Sequence, residues 1–194
     1  MKDLDIFDTS NSAAKYSYSI KVSTSNKEDK PIEEKPDTPS EEVKGNFEVS
    51  TNGSAASGNT LNTALTIKAL GNKIYDLSKL KVRYYFTSEG DMGENLWIDS
   101  AAVSYSRAPW YVSVNSEING QVYKMPSAKS KADHYVEFTF DSKEILDSSA
   151  SLYIGARIAK EDWSSFDFSN DYSYKNAGGI VIYYDGEIVN GVEP

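Results

Sequence analysis

The densest chemistry in the chain lies between Tyr153 and Tyr174, YIGARIAKEDWSSFDFSNDYSY. Arg157 supplies a planar guanidinium that can pair bidentately with a carboxylate or lie flat on a ring. Trp163 follows in a polar stretch, five residues past Ile158, with few apolar neighbours to bury its indole. Asp167, Asn170 and Asp171, beside Ser169, are oxygen donors of the kind a hard cation takes. A guanidinium, an exposed indole and a cation cluster so close together mark a surface that holds something.

The elements that must position these groups read as β-strands. Leu152, Ile154, Ala156 and Ile158 fall on one face of a period-two pattern, with Tyr153, Gly155 and Arg157 on the other. The same alternation runs through Phe47 and Val49, through Leu61 to Ala69, and through Leu80, Val82, Tyr84 and Phe86, with Lys81, Arg83 and Tyr85 facing outward. It returns at Val136, Phe138 and Phe140, and at Ile180 to Tyr184. There Asp185-Gly186 before Ile188-Val189 predicts a hairpin with a type I′ turn. Trp97, in LWIDSAAV, sits at strand spacing and is expected in the core. No stripe of helical period competes. Many short strands with Gly and Asn turns predict an all-β protein, an antiparallel β-sandwich or jelly roll.

Three segments follow. Residues 1–25 are unassigned, although Tyr16, Tyr18, Ile20 and Val22 alternate as one extra strand would. Residues 26–45 are charged, proline-punctuated and poor in large apolar groups, which reads as an acidic linker. Residues 46–194 form the sandwich. The start lacks a cationic region followed by an apolar run, so it is not read as a signal peptide, and the final VEP reads as the beginning of a linker.

Composition excludes several functions. Net charge is −9, which argues against nucleic acid or an anionic membrane as partner. There is no cysteine, which removes disulfides, thiolate zinc sites and cysteine nucleophiles together. His134 is the single histidine and is expected at the surface, entering a strand. Without it no histidine-dependent triad can be assembled. Acidic residues are plentiful, but no spacing singles out a pair for glycoside hydrolysis. The chain reads as a binder, not an enzyme.

Four ordered blocks carry a resemblance: YDLSKLKVRYYFT, LWIDSAAV, YKM before a polar loop, and ARIAKEDWSSFDFSNDYSY. Over residues 46–194 the chain resembles a family 3 carbohydrate-binding module, the cellulose-binding family of bacterial cellulosomes and cellulases. The resemblance implies a jelly roll and an extracellular setting. It further implies a flat face for crystalline cellulose or related plant cell-wall polysaccharide. On that face Arg157 pairs with Asp99, Trp163 lies on a sugar ring, and Ser100 stands where the family usually has histidine. The family's tyrosine maps to Trp110 or to Tyr111, depending on where a one-residue insertion falls. Calcium ligands map onto Thr87, Glu89, Asp167, Asn170 and Asp171, with Thr87 and Asp167 serving partly through backbone carbonyls and Glu89 replacing an aspartate. Calcium would be structural.

The plain alternatives are that Trp163 and Trp110 pack inward and that DFSND is a solvated acidic turn. Two rival functions share the fold. One is a cellulase-accessory module with little cellulose binding. The other is a peptide-binding module whose tyrosine-rich groove takes a linker, the chain's own 20–39 segment included. If three platforms each cover roughly 80 Å² at about 25 cal/mol/Å², their sum of about 6 kcal/mol corresponds to a dissociation constant of tens of micromolar.

Overall fold

The computed structural model describes residues 45–52, 55–90 and 92–194. The strand and nearly all of the linker expected before Gly45 lie outside the described residues. Within them the chain forms strands β1 (Phe47–Thr51), β2 (Ser57–Gly58), β3 (Leu61–Ala69), β4 (Tyr75–Asp76), β5 (Leu80–Phe86), β6 (Glu94–Tyr105) and β7 (Tyr111–Ser113). It continues with β8 (Ile118–Lys129), β9 (Ala132–Phe140), β10 (Ile145–Leu146), β11 (Ala150–Lys160), β12 (Phe166–Asp167), β13 (Ile180–Tyr184) and β14 (Glu187–Asn190). Three short 3₁₀ turns are the helical elements among them.

Two five-stranded sheets, β1-β3-β11-β6-β7 and β14-β13-β5-β9-β8, face each other, and all their pairings are antiparallel. This is the expected sandwich. The inner faces are what the alternation predicts: Leu65, Ile67, Leu152, Ile154 and Ile158 from the first sheet meet Val82, Phe86, Val136, Phe138 and Ile182 from the second. Each such side chain contributes about 1.5–3 kcal/mol on burial, so sandwich formation follows from the period alone. Asp185 and Gly186 both have positive φ, 55° and 90°, as a type I′ hairpin requires.

Three residues depart from expectation. Tyr85 alternates outward yet is buried, because Tyr135 and Tyr172 pack over it on the outer side of the second sheet. His134 is also buried, its Nδ1 held 2.7 Å from Asp133 and its ring beside Phe86. Trp97 is not in the core: at 37% exposure it stands on the outer face of the first sheet. It pairs across the ladder with Arg157, and partners in a ladder share a face. Strand period alone could not tell which of the two faces an isolated tryptophan takes.

Candidate functional site

The outer face of the first sheet collects the aromatic and ionic residues. Along β11, Tyr153, Gly155 and Arg157 point away from the core. Their partners on β6 are Ala102, Ser100 and Trp97, which therefore point the same way. Strict alternation would turn Asp99 inward, next to Ser100. Instead the register slips between Gly155 and Ala156, and Asp99 is the extra, unpaired residue of a β-bulge. A bulge re-aims a side chain, and this one brings Asp99 to Arg157. Arg157 Nε donates to Oδ2 at 2.7 Å and Nη2 to Oδ1 at 2.8 Å, a bidentate planar pair. The guanidinium hydrogen bond holds the Asp99 carboxyl below its ordinary range. The pair is solvent-exposed on both sides, where ion pairs add little stability. Its planarity is the property left to explain.

Trp163 extends this patch. It follows Lys160 in a tight turn at φ 58°, its N–H donating to the Lys160 carbonyl at 3.0 Å, and it is 55% exposed. Its ring lies 5.9 Å from that of Trp97 with 21° between the planes, and the Arg157 guanidinium sits 5.8 Å from the Trp97 ring centre. Two near-parallel indoles thus stand next to the ion pair, Trp97 beside Arg157 and Trp163 stacked on Trp97. At the other end Tyr111 of β7 pairs with Ser104 of β6, on the same outer face. Tyr111 and Trp110 are 58% and 63% exposed, so both candidates for the family's tyrosine are presented rather than packed inward.

Tyr153 was missed from sequence and belongs to the same face. Its ring leans toward Gly155, where a Cβ would come within 2.9 Å of the Tyr153 hydroxyl. The glycine lets that ring lie down on the sheet. From Trp97 to Ser104 the line of residues runs about 20 Å at strand rise.

The second group of residues gathers at the ends of β5 and β12. Asp171 Oδ1 accepts from the Thr87 N–H at 2.8 Å and from Thr87 Oγ1 at 3.0 Å. Thr87 Oγ1 also meets Asn170 Oδ1 and, at 3.3 Å, Glu89 Oε1. Glu89 Oε1 further accepts from the Asp167 N–H at 3.1 Å and Asn170 Nδ2 at 3.0 Å. Asp171 Oδ2 is buried with no partner among the described residues. Burial pushes the Asp171 carboxyl up to about 7; the Thr87 hydrogen bonds pull the other way, and the charges of Glu89 and Asp167 add to the rise. Four of the five expected residues therefore converge through side-chain oxygens. The fifth, Asp167, turns its carboxylate to cap the following 3₁₀ turn through Ser169.

Among the described residues, no three His, Cys, Asp or Glu side chains meet closely enough to chelate an ion by themselves. The converging set is mixed instead: carboxylate, amide and hydroxyl oxygen, a composition suited to a hard cation. Lys160, 3% exposed, borders this set. Its ammonium donates to the carbonyls of Ser165 at 3.0 Å and Glu89 at 3.4 Å and faces Glu89 Oε2 at 3.6 Å. One buried side chain thus ties the Trp163 turn to the Glu89 loop.

Comparison with known proteins bears on the family and the fold. A family model described as cellulose binding domain matches residues 46–191. Cellulosomal-scaffolding protein A of Acetivibrio thermocellus is 36% identical over 160 residues, covering 78% of this chain and 8% of its own length. Exoglucanase-2 of Thermoclostridium stercorarium is 33% identical over 132 residues, covering 64% of this chain and 13% of itself. The solved structure of the CBM3a-L domain with flanking linkers, from scaffoldin cipA of the Clostridium thermocellum cellulosome, superposes with TM-score 0.69 at 34% identity. The match covers 77% of this chain and 92% of that one. The chain spans under a fifth of the scaffolding protein and of the exoglucanase.

Proposed function

Since the chain belongs to the family 3 carbohydrate-binding modules, the cellulose binding domains, we propose that it holds crystalline cellulose on the outer face of β11, β6 and β7. The observation that carries this reading is the bidentate Arg157–Asp99 pair set beside the near-parallel rings of Trp97 and Trp163. Pyranose rings present apolar C–H faces edged by hydroxyls. A row of flat groups with donors and acceptors at its margin is their complement. Ser100, outward beside Gly155, supplies a hydroxyl where a histidine would add another ring. A crystalline surface is already ordered, so little ligand entropy opposes binding.

The role is adhesion, not catalysis. By holding its parent protein at the plant cell wall, outside the cell, the module raises the local concentration of whatever is joined to it. Scaffoldin, cellulase and membrane-anchored biomass sensor are the settings such a module serves.

Calcium is the cation the second group suits. Thr87, Glu89, Asn170 and Asp171, with the Asp167 carbonyl, would hold it, and it would supply the positive charge that Asp171 Oδ2 lacks. Its place at the loop ends makes the role structural.

The tyrosine cluster on the other sheet supports a second, separate role in cradling chain rather than sugar. Glu193 bonds to Arg83 at 3.2 Å, to the Tyr85 hydroxyl at 3.0 Å and to the Tyr183 hydroxyl.

Depletion of the protein from solution by microcrystalline cellulose tests the main reading. Protein left wholly in solution would overturn it.

A further inference from the structure

A cavity of about 250 Å³ opens beside the start of β3. That is below the usual range for drug-sized ligands and suits a single sugar ring. Its wall combines the aromatic side chains of Tyr84, Phe168 and Tyr174 with the amides of Asn52, Asn59 and Asn62. Ring faces with a few orienting polar groups are what a sugar site needs.

Two observations give the cavity direction. Tyr84 lies on the inward face of β5 and is 2% exposed. Its hydroxyl shares no hydrogen bond with a described residue and is not among their closed-off polar atoms, so the little of it that is open faces the cavity. Burial, with the charge of Asp171 nearby, raises its pKa and keeps it a donor. A phenol so deeply buried ordinarily finds a partner. The Tyr174 hydroxyl does, donating to the Ala55 carbonyl at 2.7 Å. Asn62 supplies the second observation. It faces outward on β3 directly across the ladder from Arg157, and it also lines the cavity. The cavity therefore borders the planar face, one strand spacing of about 4.8 Å from the ion pair.

We propose that the cavity is a branch subsite: it takes one pyranose ring carried as a side group on a β-linked glucan whose main chain lies along Trp97 and Arg157. A branch on a primary hydroxyl projects sideways from the flat ribbon by about one ring, a distance comparable to the step from Arg157 to Asn62. The Tyr84 hydroxyl donates to it, and Tyr174 offers it a ring face. The proposal rests on the reading of the planar face as glucan-binding.

The test is calorimetric titration with xyloglucan oligosaccharides against unbranched cello-oligosaccharides of equal backbone length. The branched ligand is expected to bind about threefold to tenfold more tightly, the worth of one neutral hydrogen bond. Tyr84→Phe should erase that preference. It should leave the melting temperature and cellulose adsorption unchanged, because the hydroxyl it removes is unpartnered among the described residues. Asn62→Ala should reduce the preference in the same direction. Equal affinity for both ligands, with cellulose adsorption intact, would overturn the branch subsite alone. Equal weakening of both ligands by Tyr84→Phe would overturn it too. Failure of the unaltered protein to adsorb to cellulose would instead remove the face on which it depends.

Discussion

Removing the Trp163 ring should strip most adsorption from the module and leave its fold alone. The indole is 55% exposed, and an aromatic side chain offers 150–250 Å² in all. Roughly 100 Å² of ring face is thus available to a sugar, which at about 25 cal/mol/Å² is about 2.5 kcal/mol. Trp163→Ala should then weaken binding to microcrystalline cellulose by about seventyfold. Part of that loss should be returned by Trp97, whose ring is uncovered when its neighbour goes. A cycle of Trp163→Ala, Trp97→Ala and the double variant, read by adsorption isotherms, separates the two rings, and contact between them predicts non-additivity. Thermal unfolding is the control. Because the turn is set by the Lys160 carbonyl and not by the ring, the melting temperature should move little. An isotherm matching the unaltered protein, or a collapse in stability, would refute the reasoning.

Further outcomes follow from the same geometry. Asp99→Ala should leave Arg157 mobile and weaken adsorption severalfold with little change in unfolding, since the pair is exposed. Chelation of divalent cations should lower the melting temperature at about pH 7.5 more than at about pH 5. The sign follows from the raised Asp171 pKa: without a cation its contribution is present below the ordinary carboxylate value of about 3.9 and is lost as pH rises toward about 7. That loss is of order 4 kcal/mol at most, and added calcium should reverse it. Melts that ignore both chelator and pH would retire the cation. Lys160→Met removes two buried donor contacts and should destabilise by about 1–3 kcal/mol. Its adsorption should fall further than Lys160→Arg if the ammonium steadies the Trp163 turn; equal adsorption in the two variants would argue against that.

The strands carrying the sandwich were legible because a two-residue period coincides with burial in β3, β5, β9 and β11. The binding face was half legible. Arg157, Asp99 and Trp163 came from motif resemblance, and their convergence appears only once β11 pairs with β6. Alternation leaves the face of Trp97 open, whereas it already sets Tyr153 outward beside Arg157 and leaves only its role unread. Period places a residue on one of two faces, and on a face beside an ion pair a large ring stays exposed rather than packing. Trp97 took its face from the cross-strand partner Arg157, and the Tyr153 ring its tilt from the bare surface of Gly155. Tyr85 and His134 erred in the opposite sense. Tyr135, Tyr172 and Tyr183 cover Tyr85 on the outer side of the second sheet, which strand period does not show. His134, by contrast, falls in phase with Val136, Phe138 and Phe140, so its burial follows the period of β9.

The bulge at Asp99 lets an acidic side chain be spliced into the outer face without disturbing its neighbours. On either side of it the ladder keeps its partners, Ser100 opposite Gly155 and Ile98 opposite Ala156. Excise Asp99 and those partners would close up into a regular ladder, with Trp97 still outward across from Arg157; the guanidinium alone would lose its planar mate. A single deleted codon there is therefore a route by which such a scaffold sheds one member of the patch while keeping its architecture.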